Sequence, residues 1–166
     1  MGKTTVSFDL SEKGINKAIR ELESYRNELI RKCNELIRQL TEHGEEVAKM
    51  EVVQLGAFDT GNLQESIHGY FDPDVGVGFV RAECWYAVYV EFGTGIVGAR
   101  TPHPNAMAHG WVYDHNHHGE RGWVYWSGRD GHYHWTQGHP QTPFMYNTMR
   151  ILQTEAQRIA HDVFNQ

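Results

Sequence analysis

The sequence predicts an α+β fold, a long N-terminal helix packed on an antiparallel β-sheet with a C-terminal helix closing the chain. Three observations predict it: a seven-residue apolar column inside helix-favouring composition over residues 10–55, alternating apolar runs on both sides of Asp72-Pro73-Asp74, and an apolar stripe at helical spacing over 142–164. At 166 residues the chain reads as one domain, 1–166, long enough to bury a core without disulfides or metal.

Lys3 to Phe8 sets Val6 and Phe8 on one side and predicts a short edge strand. Asp9 followed by Glu12 reads as a helix start, Asp standing in for the Ser or Thr of a capping box. Ile15, Leu22, Leu29, Leu36 and Met50 form one column, broken only by His43; Ile19, Arg26, Cys33, Leu40 and Val47 form a second. This spacing makes a coiled-coil-like seam, with Glu28–Lys32 and Glu45–Lys49 as favourable pairs outside it. Gly44 predicts an end or kink near the last third of the helix. The seam suits either the chain's own sheet or a second copy. The first is favoured because the later strands need a cover.

Residues 56–63, with Asp59-Thr60-Gly61-Asn62 among them, read as a turn. A hairpin is expected over 64–82: Ile67, Gly69 and Phe71 alternate before the turn, and Val75, Val77 and Phe79 after it. Residues 84–95, CWYAVYVEFGTG, form a segment to be buried, with Glu91 as its one carboxylate. Periodicity does not separate helix from strand there. The stop at Gly93 favours a short helix. Residues 96–141 change texture to a His-rich, aromatic insertion. Gly110-Trp111-Val112-Tyr113 and Gly122-Trp123-Val124-Tyr125-Trp126 read as neighbouring strands, and Ser127 to Gly131 turns the chain into a second hairpin ending at His132 to Thr136. Thr142-Pro143 starts the C-terminal helix, whose stripe is Phe144, Thr148, Ile151, Leu152, Ala156, Ile159 and Val163.

Fifteen Lys and Arg against 21 Asp and Glu give a net charge of −6, which argues against a dedicated nucleic-acid binder. No apolar run approaches the ~18 residues of a membrane span, and the N-terminus lacks a signal peptide's apolar core, so an intracellular chain away from membranes is expected. Cys33 and Cys84 form no CxxC and are expected as free thiols.

Nine of the 11 histidines lie from His103 onward. Asp114 with His115, His117 and His118, and the alternating His132 and His134, have the residue types of a metal site, and a small metal-dependent hydrolase is one alternative. Neither HExxH nor a CxxC accompanies them, and their Asn/His/Gly setting is that of a solvated turn. Ser66 and Ser127 lack GxSxG context, and the Gly76-x-Gly78 and Gly93-x-Gly95 pairs fit no phosphate loop. No enzyme active site, metal or cofactor is expected. Trp85 reads as core, while Trp111, Trp123, Trp126 and Trp135 fall on both faces of short strands and suit either an aromatic cluster or a partner surface. A coiled-coil adaptor built on Ile15 to Met50 is the other alternative.

Three blocks carry a resemblance: Asp59-Thr60-Gly61-x-Leu63-x-x-Ser66-Ile67, then Tyr86-Ala87-x-x-Val90-Glu91-Phe92-Gly93-Thr94, then Pro143-Phe144-Met145. In this order, spanning about half the chain, they resemble the tail-completion or head–tail joining (neck) proteins of siphophages, also labelled minor capsid or tail-component proteins. The resemblance implies a non-enzymatic virion assembly protein, made in the bacterial host cytoplasm and acting as a ring, commonly sixfold. Its partners would be copies of itself, the connector, and tail-tube or tail-terminator proteins, with DNA passing through without specific binding. Thr60, Gly61, Leu63, Ser66, Ile67, Tyr86, Ala87, Val90, Pro143 and Phe144 would serve mainly the fold. Glu91, Phe92, Gly93, Thr94, Trp111 and Trp126 are the candidate contact residues.

Overall fold

The computed structural model describes residues 5–57, 61–113 and 121–165. The α+β class holds, with the antiparallel strands split into two sheets of two strands each. In chain order the elements are α1 (Glu12–Gln54), α2 (Asn62–Glu65), β1 (Ile67–Asp72), β2 (Val77–Ala82), α3 (Ala87–Phe92), α4 (Gly95–Arg100), β3 (Trp123–Ser127), β4 (His132–Thr136), β5 (Gly138–His139) and α5 (Phe144–Asn165). The expected edge strand is absent among residues 5–10, and residues 1–4 lie outside the described residues.

Helix α1 runs 43 residues, about 65 Å at 1.5 Å per residue. Its N-cap is Ser11, whose hydroxyl accepts from the Gly14 N–H, while the Asp9 carboxylate receives the Ser11 N–H at 2.8 Å. The cap thus falls two residues later than the Asp9 reading, with Asp9 supporting it from outside. Gly44 neither ends nor kinks the helix. It is buried against Leu152 and Val80, where even a methyl group would sit only 3.0 Å from each side chain. Packing space overrides helix propensity here.

The C-terminal half of α1 carries the rest of the fold. Helix α5 runs antiparallel along it, tied by Lys32 Nζ donating to the Phe164 carbonyl, His43 Nε2 meeting Glu155 at 2.6 Å, and Asn147 Nδ2 donating to the buried Glu51 at 2.7 Å. The α5 stripe lies as the spacing predicts, with Phe144, Thr148, Ile159 and Val163 buried. On another face of α1 lies the β1–β2 hairpin, paired Ile67↔Ala82 through Asp72↔Val77. Ile67, Gly69 and Phe71 face inward as their alternation predicts. Across the turn the register places Gly78, Val80 and Ala82 inward instead, while Val77 and Phe79 are exposed. Phe79 stacks on Tyr70 on the outer face, ring centroids 5.2 Å apart. The reason is close approach. A Cβ at Gly78 would lie 2.0 Å from Thr41 Oγ1, so only glycine lets the strand sit on the helix at that point.

Ala48, Val52, Leu63, Ile67, Ala87 and Phe144 form the core, joining five elements. Val52, Ile67 and Phe144 are fully buried, each contributing about 1.5–3 kcal/mol by the usual burial scale. Where the 84–95 segment passes into the insertion, residues 95–100 form α4. Residues 110–113 are not a strand; the β3–β4 hairpin, paired Trp123↔Thr136 to Ser127↔His132, stands without them.

Two expectations follow. Gly78→Ala should lower stability by about 1–3 kcal/mol, read as a shift in the urea midpoint, because hairpin and helix must separate. The second concerns Glu45, whose Oε1 receives Lys49 Nζ at 2.5 Å and whose Oε2 receives the Gly69 N–H at 2.7 Å, joining α1 to β1. The hydrogen bond from Lys49, then that from Gly69, holds this carboxyl below its ordinary value. A depressed carboxyl contributes stability that is full above the unfolded value, about 4.3, and lost as pH falls through the folded one. Glu45→Gln should therefore lower the melting temperature at neutral pH and flatten its fall on acidification below about pH 4.3.

Candidate functional site

The three sequence blocks meet in space. Gly61, buried with φ 87°, opens α2, which drops Leu63 into the core. Ser66 Oγ donates to the Leu63 carbonyl at 2.8 Å, and the Ser66 carbonyl receives the Glu83 N–H at the base of the hairpin. Ile67 and Ala87 then pack on Phe144, with Tyr86, Val90 and Met145 around them. Thr60 lies outside the described residues. Val90 ties the second block to the third, its carbonyl accepting from the Thr142 N–H at 2.9 Å, and the Pro143 carbonyl accepts from Asn147 inside the first turn of α5.

Glu91 sits at the centre of this junction. Helix α3 forms over Ala87–Phe92 and stops at Gly93, φ 77°, as the short-helix reading predicts. Its inward face presents Glu91 to the N-terminus of α5. Oε2 receives the Met145 N–H at 2.8 Å; Oε1 receives the Tyr146 N–H at 2.9 Å and His103 Nε2 at 3.0 Å. A carboxylate at a helix N-terminus satisfies otherwise orphaned N–H groups and the positive end of the helix dipole. The side chains of Glu91 and His103 are 9% and 2% exposed. The Asn105 N–H donates to His103 Nδ1 at 3.0 Å, so that nitrogen is the acceptor and Nε2 carries the proton given to Glu91. Both ring nitrogens are thus hydrogen-bonded within the chain.

The Gly93-Thr94-Gly95 turn has an equally local reason. The segment 137–141 passes directly across it. The Thr94 hydroxyl accepts from the His139 N–H at 3.1 Å, and Thr94 and Gly95 bridge His139 and Gly138. A Cβ at Gly93 would lie 2.7 Å from the Gln141 nitrogen and one at Gly95 2.3 Å from the Gln137 carbonyl oxygen. Both positions also take positive φ. The two glycines let one backbone ride on the other.

Of the six candidate contact residues, Glu91 and Gly93 are buried, and Phe92, Thr94 and Trp111 are half-buried. Phe92 stacks on Trp111, centroids 5.0 Å apart, and Trp111 Nε1 donates to the Gly93 carbonyl. Trp126 is placed on the β3–β4 hairpin instead, against Tyr133. There Val124, Trp126, Tyr133 and Trp135 share one exposed face. Trp85, read as core, is 81% exposed, because α3 turns its other side inward; Val88 and Tyr89 are exposed with it. Beside the Glu91–His103 pair lies a mainly apolar groove of about 560 Å³, lined by Val80, Val88, Phe92, Trp111, Phe144 and Met149 among others.

Asp114, His115, His117 and His118 lie outside the described residues. His132 and His134 both turn back on Asp130, His134 Nε2 meeting its carboxylate at 2.7 Å and His132 Nδ1 its carbonyl at 2.6 Å. Among the described residues no three His, Cys, Asp or Glu side chains gather as metal ligands would, and no helix is long and apolar enough to cross a membrane. The sequence missed His103 as the partner of Glu91. Its only signal was a Pro-flanked His where a loop was expected. Comparison with protein-family models, with curated proteins and with solved structures gives no match.

Removing the Glu91 carboxylate strands three donors, the buried His103 Nε2 and the half-buried N–H groups of Met145 and Tyr146. Glu91→Ala should cost about 3 kcal/mol or more in a urea titration, and Glu91→Gln, which cannot accept at both oxygens, should fall between it and the parent.

Proposed function

We propose that this chain is a non-enzymatic bacteriophage virion protein of the head–tail connection, completing the tail or joining it to the head as part of a ring. The reading rests on the three-block resemblance. One observation supports it most: the blocks, far apart in sequence, converge on a single junction, Leu63 and Ile67 on Ala87 and Phe144, with Glu91 clasping α5. The matched residues thus share one structural setting, as a common signature would require.

In this reading the signature residues hold the fold, and the contacts to neighbouring ring subunits, connector and tail-tube or tail-terminator proteins come from what surrounds them. Outward-facing aromatics suit that role. Trp126 with Tyr133 and Trp135 on the hairpin, and Trp85 with Tyr89 beside the junction, offer large rigid side chains that anchor interfaces when desolvated. Glu91, by contrast, acts in the fold and not at the contact. A net charge of −6 suits a channel through which DNA slides without sticking. The particle is then the chain's location, reached from the host cytoplasm.

Deleting the gene from the genome that carries it should leave DNA-filled heads and finished tails unattached in the lysate, seen by electron microscopy. Added purified protein should restore infectious particles. Trp126→Ala with Tyr133→Ala should fold as the parent does, by circular dichroism, yet fail to restore them. Attached particles in the deletion mutant sink the proposal; full rescue by the double variant moves the contact surface elsewhere.

A further inference from the structure

The N-terminal half of α1 leaves an apolar seam uncovered. Helix α5 accompanies α1 from Glu51 to Lys32, where the Phe164 carbonyl receives Lys32 Nζ. Over the ~20 residues before that, about 30 Å of helix, Ile15, Ile19, Leu22, Tyr25, Leu29 and Ile30 are 37–56% exposed, and Ala18 is buried. Ile15, Ile19, Leu22 and Leu29 continue the two columns that further along hold His43, which meets Glu155 of α5, and the buried Val47, while Tyr25 and Ile30 flank them. The seam therefore passes without a break from a covered stretch to an open one.

We propose that a second copy of this chain covers it, the two helices pairing in parallel as a two-stranded coiled coil over residues 15–33. The steps 15, 19, 22, 26, 29, 33 alternate four and three, which places Ile19, Arg26 and Cys33 at the a positions and Ile15, Leu22 and Leu29 at d. A β-branched residue at a with leucines at d favours two parallel strands, and one polar residue at a fixes register. Arg26 is that residue, its stem lying along the seam and its guanidinium reaching water. The flanks agree. In a parallel pair Tyr25 at g meets Ile30 at e of the other helix, so two exposed apolar side chains cover each other, and no like charges meet between the e and g flanks; the two Arg26 side chains, which do face each other at a, splay their guanidinium groups outward to water. An antiparallel pair centred on Leu22 would set Ile30 against Gly14 and Glu21 against Glu23.

Cys33, a free and exposed thiol at an a position, reports the arrangement. In parallel register the two Cys33 side chains face each other. In the antiparallel pair they stand about 33 Å apart. The inference does not depend on the virion reading, and the purified chain alone tests it. Sedimentation should give twice the chain mass at rising concentration. Leu22→Glu with Leu29→Glu should restore the monomer with the melting temperature of the body unchanged. Arg26→Ile should lower the dissociation constant by about tenfold or more. With Cys84→Ser leaving one thiol, mild oxidation should yield a covalent dimer. A monomer at every concentration, a dimer that persists in the double-Glu variant, a Cys33 that stays reduced within a dimer, or a larger ring as the solution species overturns the proposal. The last would leave the virion reading standing.

Discussion

The clasp of Glu91 on the N-terminus of α5 is the constraint on which the rest of the structure depends. Helix α5 is held along α1 by three widely spaced polar contacts and an apolar stripe, but a stripe alone permits sliding by a turn. Two backbone N–H groups converging on one carboxylate do not. Fixing Met145 and Tyr146 fixes Phe144 one residue earlier, and Phe144 is the side chain against which Ile67, Ala87 and Val52 close. His103 then anchors the start of the 96–139 region to the same carboxylate. A buried carboxyl group is costly unless it is hydrogen-bonded, and here three donors from two separate segments reach it.

The same physics explains the Gly93-Thr94-Gly95 turn. Once α3 must stop short to leave Glu91 aimed at α5, the chain has to leave its end under the returning 137–141 segment. No Cβ fits between the two backbones at Gly93 or Gly95. Backbone space, rather than any ligand, dictates those glycines.

What the sequence made legible were features set by local rules. The helical stripe of α5, the length of α1, the two hairpins and the stop at Gly93 follow from periodicity and turn chemistry, which neighbours in sequence decide. What it hid depends on who lies opposite. Gly44 reads as a breaker until Leu152 and Val80 are seen to fill the space above it. Val75, Val77 and Phe79 alternate in the sequence without saying which face they take; the strand meets α1 at Gly78, so Val77 and Phe79 turn outward. Trp85 reads as core by type, yet α3 buries Ala87 and Glu91 and turns the tryptophan out. Glu91 was conspicuous as one carboxylate in an apolar run, but its partners are two main-chain groups and a histidine from another segment. Composition does not announce a backbone N–H as a partner.

These reversals sort the molecule into two kinds of surface. Inside, the conspicuous residues of the three blocks are consumed by one another, so their chemistry is spent on the fold. Outside, large apolar side chains remain on the free half of α1, on the β3–β4 hairpin and beside α3. Scattered single apolar residues on a surface need no explanation, but runs with register do. The α1 seam has heptad register and the hairpin face has cross-strand register, Val124 opposite Trp135 and Trp126 opposite Tyr133. Two ordered apolar faces on separate elements allow contacts to more than one neighbour at once. Under the assembly role proposed above, each of these faces would meet a different neighbour.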